Sequence, residues 1–593
     1  MDSGHLAVGF AAAAAAHPGR PATRVRDGED WRVRSYAELA ADVRRLAARF
    51  VARGLAPGDR IAIFAPNLPE WTLTDLACLS ARLVPVPLYP TNTPEQVRHI
   101  LADSGCRLAF VGDAEQVAKL GQVRAELPAL EDVVSFSEVP GVTSLAAELA
   151  AAPEDTAAVD ERLGAAGADE LATIIYTSGT TGEPKGVMLT HRGFTHQVEV
   201  LNRYFEITDA DSSLCFLPLS HALERAWTYV VLSNGALNTY VPDPRTVAEM
   251  MVRARPSMLV SVPRLYEKVF LAARDKVAGS PVKQRLLAWA LRVGTEFNTA
   301  VRAGRPRSSS LIVRYKLADR LVLHGVRDAM GGPKNVLACG GAALRQEIEE
   351  FFLACGLLVL QGYGLTEASP LVSFPSPTGY RFGTVGRVID GGEVRIAEEG
   401  EICYRGPNLM LGYWGRPEES AAVLVDGWLH TGDVGELDED GYLRITDRIK
   451  DLIVTSTGKN VAPSPIEGLL AADPLFEYTL VLGDNRPYLT LLVAPSLPHL
   501  EDIGRQLQLT WAHREELLAH PAILDELRRR VAGLTGKLAR HEQIRDLRLL
   551  VEEFTQESGL LTPTLKVKRR EVERRFAQLV DDMYARAGRP RQP

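Results

Sequence analysis

Cysteine is scarce in this chain of 593 residues: six are scattered as Cys78, Cys106, Cys215, Cys339, Cys355 and Cys403, with no C-x-x-C pair. That scatter argues against a zinc site or a disulfide framework and fits a reducing cytosol. Long apolar runs are missing as well, and no stretch approaches the length needed to span a bilayer. Nor is there an excess of positive charge. The 67 Lys and Arg against 75 Asp and Glu leave a formal net charge of −8, which removes any general case for nucleic-acid binding. The opening MDSGHLAVGFAAAAAAHPGRP has an alanine run but no basic region, and it is too weakly apolar for a signal peptide. These absences point to a soluble, cytoplasmic protein. Its length exceeds what one core supports and predicts a large domain plus at least one more.

The first third alternates two periodicities. Leu39, Val43, Leu46 and Phe50 have helical spacing in SYAELAADVRRLAARFVARGL, DRIAIFAPN reads as a strand, WTLTDLACLSARL as a helix and VPVPLYP as a strand. This alternation predicts an open, largely parallel sheet, continued by CRLAFVGD and by the strand around Thr173. From about Phe270 to Pro333 long helices take over, joined by RPRSSS, and read as a helical insert between two sheet strands. Near the end, ILDELRRRVAGLTGKLARHEQIRDLRLL reads as helix–turn–helix leading to a strand. The best boundary is ITDRIKDLIVTSTGKNVAP, a charged connector between apolar strands.

Between the apolar runs Thr173–Tyr176 and Val187–Leu189 lies a segment of a different kind. It places the hydroxyls of Thr177, Ser178, Thr180 and Thr181 and the glycines Gly179 and Gly182 ahead of Lys185. Glycines let backbone N–H groups converge on an anion, hydroxyls add donors, and lysine adds a compact positive charge. The spacing does not fit G-x-x-x-x-G-K-[ST], so this is another way of holding a polyphosphate. Taken alone it also fits an exposed hairpin turn. Downstream, QGYGLTEAS follows the apolar run LLVL and puts an aromatic face, a hydroxyl and a carboxylate on one turn, suited to a purine, a phosphate and a magnesium ion. Then GWLHTGDVGELDEDGYLRITDRIKD supplies Asp433, a carboxylate suited to a ribose diol, and Arg448.

In their joint order these motifs resemble the adenylate-forming (AMP-binding) superfamily. Nearly the whole chain is covered, from SYAELA to LTPTLKVKRREV. Within it the chain is most similar to bacterial long-chain fatty acyl-CoA synthetases, through PLYPTNTPEQVRHIL, LPLSHALERAW, the helical insert and LTPTLK. The resemblance implies an α/β fold: a large N-terminal domain with open βα sheets over residues 1–447, and a small mobile α+β lid over 448–593. It implies that Thr177, Ser178, Gly179, Thr180, Thr181, Gly182 and Lys185 form the phosphate loop. Gly341 and Ala342 of GGAAL would flank adenine together with Tyr363 and Gly364. Thr366 would contact phosphate, Glu367 would hold Mg²⁺, and Asp433 and Arg448 would bind ribose. His221 would border the acyl and pantetheine paths, Lys450 would be the hinge, and Gly458 with Lys459 would meet CoA.

The same resemblance assigns the catalytic lysine to Lys566, with Lys568 as the alternative, because relatives carry a glycine before that lysine and this chain has Leu565. It implies ATP, Mg²⁺ and CoA as cofactor and co-substrates, and a fatty acid turned first into acyl-AMP and then into acyl-CoA. Two alternatives stay open: an acyl-AMP ligase serving a carrier protein, and a non-catalytic lipid-binding homologue. Acyl chain length and oligomeric state are left open too. Trp227 could gate an acyl tunnel or be core. One charge cluster stands apart: residues 281–320 hold nine Lys and Arg against Glu296 and Asp319. With Leu286, Leu287, Trp289, Leu291 and Phe297 as an apolar set, this reads either as contact with an anionic membrane or as ordinary solvated helices.

Overall fold

Residues 4–177, 183–456, 459–555, 558–562 and 566–585 are described by the structure, a computed structural model. They form two units. One comprises Met1–Arg395, Cys403–Thr431 and Leu437–Arg444, the other Ile396–Ile402, Gly432–Glu436 and Ile445–Pro593.

The first unit holds two parallel sheets. Arg60–Phe64 lies between Val84–Leu88 and Leu108–Val111, and Asp132–Ser135 and Thr143–Ser144 extend the sheet, every pair parallel. Both faces are covered. Ile61, Leu108 and Phe110 pack in one cluster with Leu39, Leu46 and Phe50. Ala62, Phe64 and Val86 pack in another with Val97, Ile100 and Leu101. Strand residues alternate between faces, so a strand buried on both sides reads as a continuous apolar run. The helix Tyr36–Ala52 begins in a reciprocal Ser35–Glu38 capping box, and the four apolar residues read from its spacing are all buried.

The second sheet runs in the order Val359–Gln361, Val336–Cys339, Met258–Ser261, Ser212–Cys215, Leu237–Tyr240, Pro21–Asp27, Asp30–Ser35, parallel except for the last hairpin. The helical insert lies between its neighbouring strands Met258–Ser261 and Val336–Cys339. It comprises Pro263–Ala278, Pro281–Arg302 and Ser309–Ala318, the last running through a π-helical turn, Asp319–Leu323, into His324–Ala329. Of the apolar set Leu286, Leu287, Trp289, Leu291 and Phe297, which the sequence leaves open to membrane contact or to ordinary solvated helices, the last three pack against the core. Trp227 is core as well: it is buried and its Nε1 donates to Ser213 Oγ at 2.8 Å.

Two sequence expectations are corrected. The Thr173 strand does not continue a parallel sheet. Leu171–Thr177 pairs antiparallel with Lys185–Thr190, which pairs antiparallel with Gly412–Tyr413. The link from Thr177 to Lys185 is long enough for a hairpin but too short for a parallel crossover, which needs about a dozen residues or more. In the second unit, the helix Pro521–Thr535 is followed only by a 3-10 turn, Arg540–Glu542, before the strand Ile544–Leu549. The stretch after Gly536 is too short to offset the cost of nucleating a second helix. That strand runs parallel to Leu489–Pro495, which pairs antiparallel with Phe476–Leu482.

A buried ion pair braces the first unit. Asp75 on the helix Pro69–Ser80 and Arg225 on the helix Ala222–Ser233 have side chains 2% and 1% exposed. Arg225 Nε donates to Asp75 Oδ2 at 3.3 Å, and the Tyr229 hydroxyl donates to the same oxygen at 2.6 Å. Arg225 Nη1 donates to Thr173 Oγ1 at 2.7 Å, and that hydroxyl donates to the Pro85 carbonyl at 2.7 Å. Arg225→Met leaves the Asp75 charge buried without its cation and is expected to cost about 3–5 kcal/mol. Urea unfolding checks this, and Asp75→Leu combined with Arg225→Met is expected to recover much of the loss.

Candidate active site

In open α/β sheets, ligands bind beyond the carboxyl ends of the strands, and the first unit gathers its motifs there. Cys339 and Gln361 are paired neighbours at the ends of their strands, so Gly340–Leu344 and Gly362–Glu367 leave the sheet side by side. The Gly362 N–H donates to the Cys339 carbonyl at 2.8 Å, and the Leu344 N–H donates to the Gln361 side chain. Gly341 has φ +82°, a left-handed value that favours glycine. Gly364 allows a close approach: a Cβ there would stand 1.9 Å from the Pro370 carbonyl oxygen. Gly341, Ala342, Tyr363 and Gly364 are therefore brought together.

The hairpin supplies the positive charge. Thr177 pairs with Lys185 across it, while Ser178, Gly179, Thr180, Thr181 and Gly182 lie outside the described residues. Its returning end is fixed from the helix Pro94–Ser104: a His99 Nε2–H donates to the Pro184 carbonyl at 2.9 Å, and His99 Nδ1 lies 3.5 Å from Glu183. The Tyr176 hydroxyl donates to Asp103 Oδ2 at 2.6 Å, and Arg416 reaches the other oxygen of Asp103 at 3.2 Å.

One aromatic ring joins the hairpin to Glu367. Lys185 Nζ lies 5.4 Å from the centre of the Tyr413 ring and is ion-paired with Glu419. The Tyr413 hydroxyl donates to Glu367 Oε1 at 3.0 Å. Burial, with the negative charges of Glu367 and Glu419, raises the pKa of Tyr413, so it stays a donor. Glu367 is half-buried beside the buried Thr366 in a 3-10 turn, and its carbonyl accepts from Met410 N at 2.8 Å. Tyr413, Glu419 and His99 were not found from the sequence. The only signal, in MLGYWGRPEES, is an aromatic pair beside a turn, which is common without function.

His221 caps the helix Ala222–Ser233: its Nδ1 accepts from Leu223 N at 3.2 Å, which places the proton of the neutral ring on Nε2. The segment before it is clamped from two sides. Asn67 Nδ2 donates to the Leu217 carbonyl at 2.6 Å, and Glu224 Oε2 accepts from Leu217 N at 3.0 Å. Burial pushes the pKa of Glu224 up to about 8.

The second unit brings together Asp433, Arg448 and Lys566. Arg448 Nε donates to the buried Asp433 at 2.7 Å. Burial and repulsion by Arg448 lower the pKa of Lys566 to about 8, against an opposing effect of Asp433. The Lys566 side chain is at the same time open to solvent, so water screens part of that shift. Its segment is held as a bridge: Lys566 N donates to Thr562 Oγ1 at 3.0 Å, and Thr562 N to the Lys566 carbonyl at 2.7 Å. Lys568 lies on the other side of that bridge, at the start of the helix Arg569–Arg575. Lys450 is exposed in the turn after Arg448, Lys459 N donates to Thr455 Oγ1 at 3.1 Å, and Gly458 lies outside the described residues.

The AMP-binding enzyme family matches residues 10–414, and the AMP-binding enzyme C-terminal domain matches residues 450–588. The chain is 34% identical over 567 residues to the long-chain-fatty-acid–CoA ligase FadD15 of Mycobacterium bovis, covering 95% of this chain and 94% of that protein. It is 30% identical to the peroxisomal long chain acyl-CoA synthetase 6 of Arabidopsis thaliana, over 95% of this chain and 84% of the relative. Among solved structures, the adenylation domain of a carboxylate reductase from Mycobacterium chelonae matches with a TM-score of 0.76 at 23% identity, covering 98% of this chain and 91% of that one.

Tyr413→Phe keeps the ring under Lys185 and removes only the hydroxyl held by Glu367. It is expected to weaken apparent ATP affinity about tenfold to a hundredfold, the scale of one hydrogen bond to a charged group. Combined with Glu367→Gln, the two losses are expected not to add, because they share one interaction. Initial rates of pyrophosphate release against ATP concentration measure both.

Proposed function

Because the chain belongs to the AMP-binding enzyme family, we infer that it is an AMP-forming long-chain fatty acid–CoA ligase. ATP and the acid give acyl-AMP and pyrophosphate, and CoA then takes the acyl group and releases AMP. The observation that carries the reading is the cluster of Lys185, Tyr413 and Glu367 beside the strand ends. A fatty carboxylate attacks an anionic triphosphate poorly, so the site must neutralise repulsion and align the two for in-line displacement. Lys185 lies at the foot of the phosphate loop, and Thr366 offers a hydroxyl to the same phosphates. Glu367 offers a hard carboxylate oxygen that suits Mg²⁺, which when bound would neutralise phosphate charge. Gly341, Ala342, Tyr363 and Gly364 flank adenine, and Asp433 and Arg448 bind ribose.

Carboxylate oxygen bonds to the α-phosphorus as the bond to pyrophosphate breaks, and Lys566 stabilises the charge that develops. In the second step the CoA thiol loses its proton, a C–S bond forms, and the C–O bond to AMP breaks. His221 borders the path of acyl and pantetheine groups, Lys450 is the hinge of the lid that spans 448–593, and Gly458 and Lys459 meet CoA. A substrate that partitions into bilayers makes peripheral contact with an anionic membrane part of this reading. Incubation with ATP, fatty acid and CoA should yield AMP and a thioester. Acyl-AMP that persists with CoA present would favour the carrier-protein alternative.

Lys566→Ala should cut adenylate formation about a hundredfold or more while thioester formation from supplied acyl-AMP stays largely intact. Lys568→Ala is the control expected to leave both. The ammonium of Lys566 exists below its pKa of about 8 and is lost above it. Adenylate formation should therefore fall as pH rises through about 8, a limb that Lys566→Arg moves to higher pH. Single-turnover measurements of each half-reaction against pH, with ATP well below saturation so that the free enzyme's lysine is read, decide it. Glu367→Gln keeps the shape and removes the charge, so the magnesium requirement should move to a much higher concentration, read from initial rates in a magnesium titration.

A further inference from the structure

The helix Ser309–Ala318 and its continuation to Leu323 are apolar on two opposite faces. The inner face is accounted for: Leu311, Ala318 and Leu323 are buried, and Tyr315 and Val322 pack against the core. The outer face is not. Val313 is 67% exposed, Leu317 51% and Leu321 53%, with Ile312 at the edge at 36%. Residues four apart on a helix stand one above another, so Val313, Leu317 and Leu321 form one stripe. A solvated helix face is ordinarily polar, and no described residue covers this one.

Charge identifies what does. Lys316 and Arg320 share that face, and Arg305 lies in the exposed loop leading to it. None of the three has an acidic partner among the described residues. The two carboxylates of the segment are already taken, Glu296 by Arg314 at 3.4 Å and Asp319 by Arg327. The face is held rigidly from behind, where the Phe297 and Tyr315 rings stack at 3.8 Å and Arg307 lies 5.5 Å over Phe297. A second copy of the chain would set these cations against themselves. A polyanion such as nucleic acid would leave the aliphatic stripe without a use.

We propose, resting on the fatty-acid reading above, that the outer face of the helix from Ser309 to Leu323 docks on an anionic lipid bilayer. Its cations meet the headgroups while Val313, Leu317 and Leu321 enter the boundary below them. The enzyme thereby rests where a long-chain acid is concentrated.

Co-sedimentation of the whole chain with vesicles free of fatty acid tests the surface without turnover. With about one-third phosphatidylglycerol the protein should pellet, with phosphatidylcholine alone it should not, and about tenfold more salt should release it. Two exposed sets of substitutions separate the contributions: Val313→Gln, Leu317→Gln and Leu321→Gln together, and Lys316→Gln with Arg320→Gln. Each should lower partitioning about tenfold and leave turnover of a short soluble acid unchanged. Absence of binding to anionic vesicles, binding insensitive to salt, or wild-type binding by both variants would overturn the proposal. So would an assembly of the wild type in sedimentation velocity that the apolar variant dissolves, because the face would then join two copies. Normal vesicle binding without thioester formation would instead sink the substrate reading and leave the surface standing.

Discussion

The ion pair between Asp75 and Arg225 is the constraint on which the first unit turns. Two charges removed from water are worth little as a source of stability, since their attraction barely offsets desolvation. Their value lies in what they fix. Arg225 sits one turn beyond the His221 cap, holds Asp75 on a second helix, lies 5.4 Å from the centre of the Trp71 ring, and bonds Thr173 at the root of the hairpin that leads to Lys185. Thr173 passes the constraint to Pro85 in the edge strand of the parallel sheet. A shift of any one of these elements would leave a buried charge or hydroxyl without its partner, so they keep one arrangement. The hairpin thus enters the site from a rigid root although its tip is rich in glycine.

From that root, charge is distributed through Tyr413. The ring faces a cation, while its hydroxyl satisfies a carboxylate, so one side chain spaces Lys185 from Glu367. Glu419 already shares Lys185, which moderates a positive charge that would otherwise stand alone next to apolar strands. The cluster therefore holds its cation and carboxylates without leaving either unbalanced.

Much of this was legible in the sequence where the signal is local. The capping box at Ser35, the spacing of Leu39 to Phe50, the apolar runs of the parallel strands and the glycines of the turns are each decided within a few residues. The sheet to which the Thr173 strand belongs was not, because a β-branched run carries no mark of its partner. Only the short link to Lys185 bears on it. The residues that organise the site were invisible for the same reason. Tyr413 acts on Glu367, and Arg225 on Asp75, across 46 and 150 positions of sequence. The insert shows a subtler limit. Its apolar residues were visible, but helical spacing fits two stripes, and only packing shows that Trp289, Leu291 and Phe297 go inward while Val313, Leu317 and Leu321 do not.

Lys185 in the first unit and Lys566 in the second stand in opposite electrostatic circumstances. Lys185 has a carboxylate and a ring face beside it. Lys566 has Arg448 as a neighbour, and Asp433, the carboxylate near it, is already engaged by that arginine. Its ammonium is weakened toward a pKa of about 8 from an ordinary 10.5. A group held in that state responds strongly to an incoming anion, because a phosphate supplies the counter-charge that the protein withholds and draws the pKa back up. On the proposed assignment of Lys566, an anion that binds there near pH 8 brings a proton onto the lysine, and by linkage that uptake adds to the anion's affinity. When the anion leaves, the gain is withdrawn.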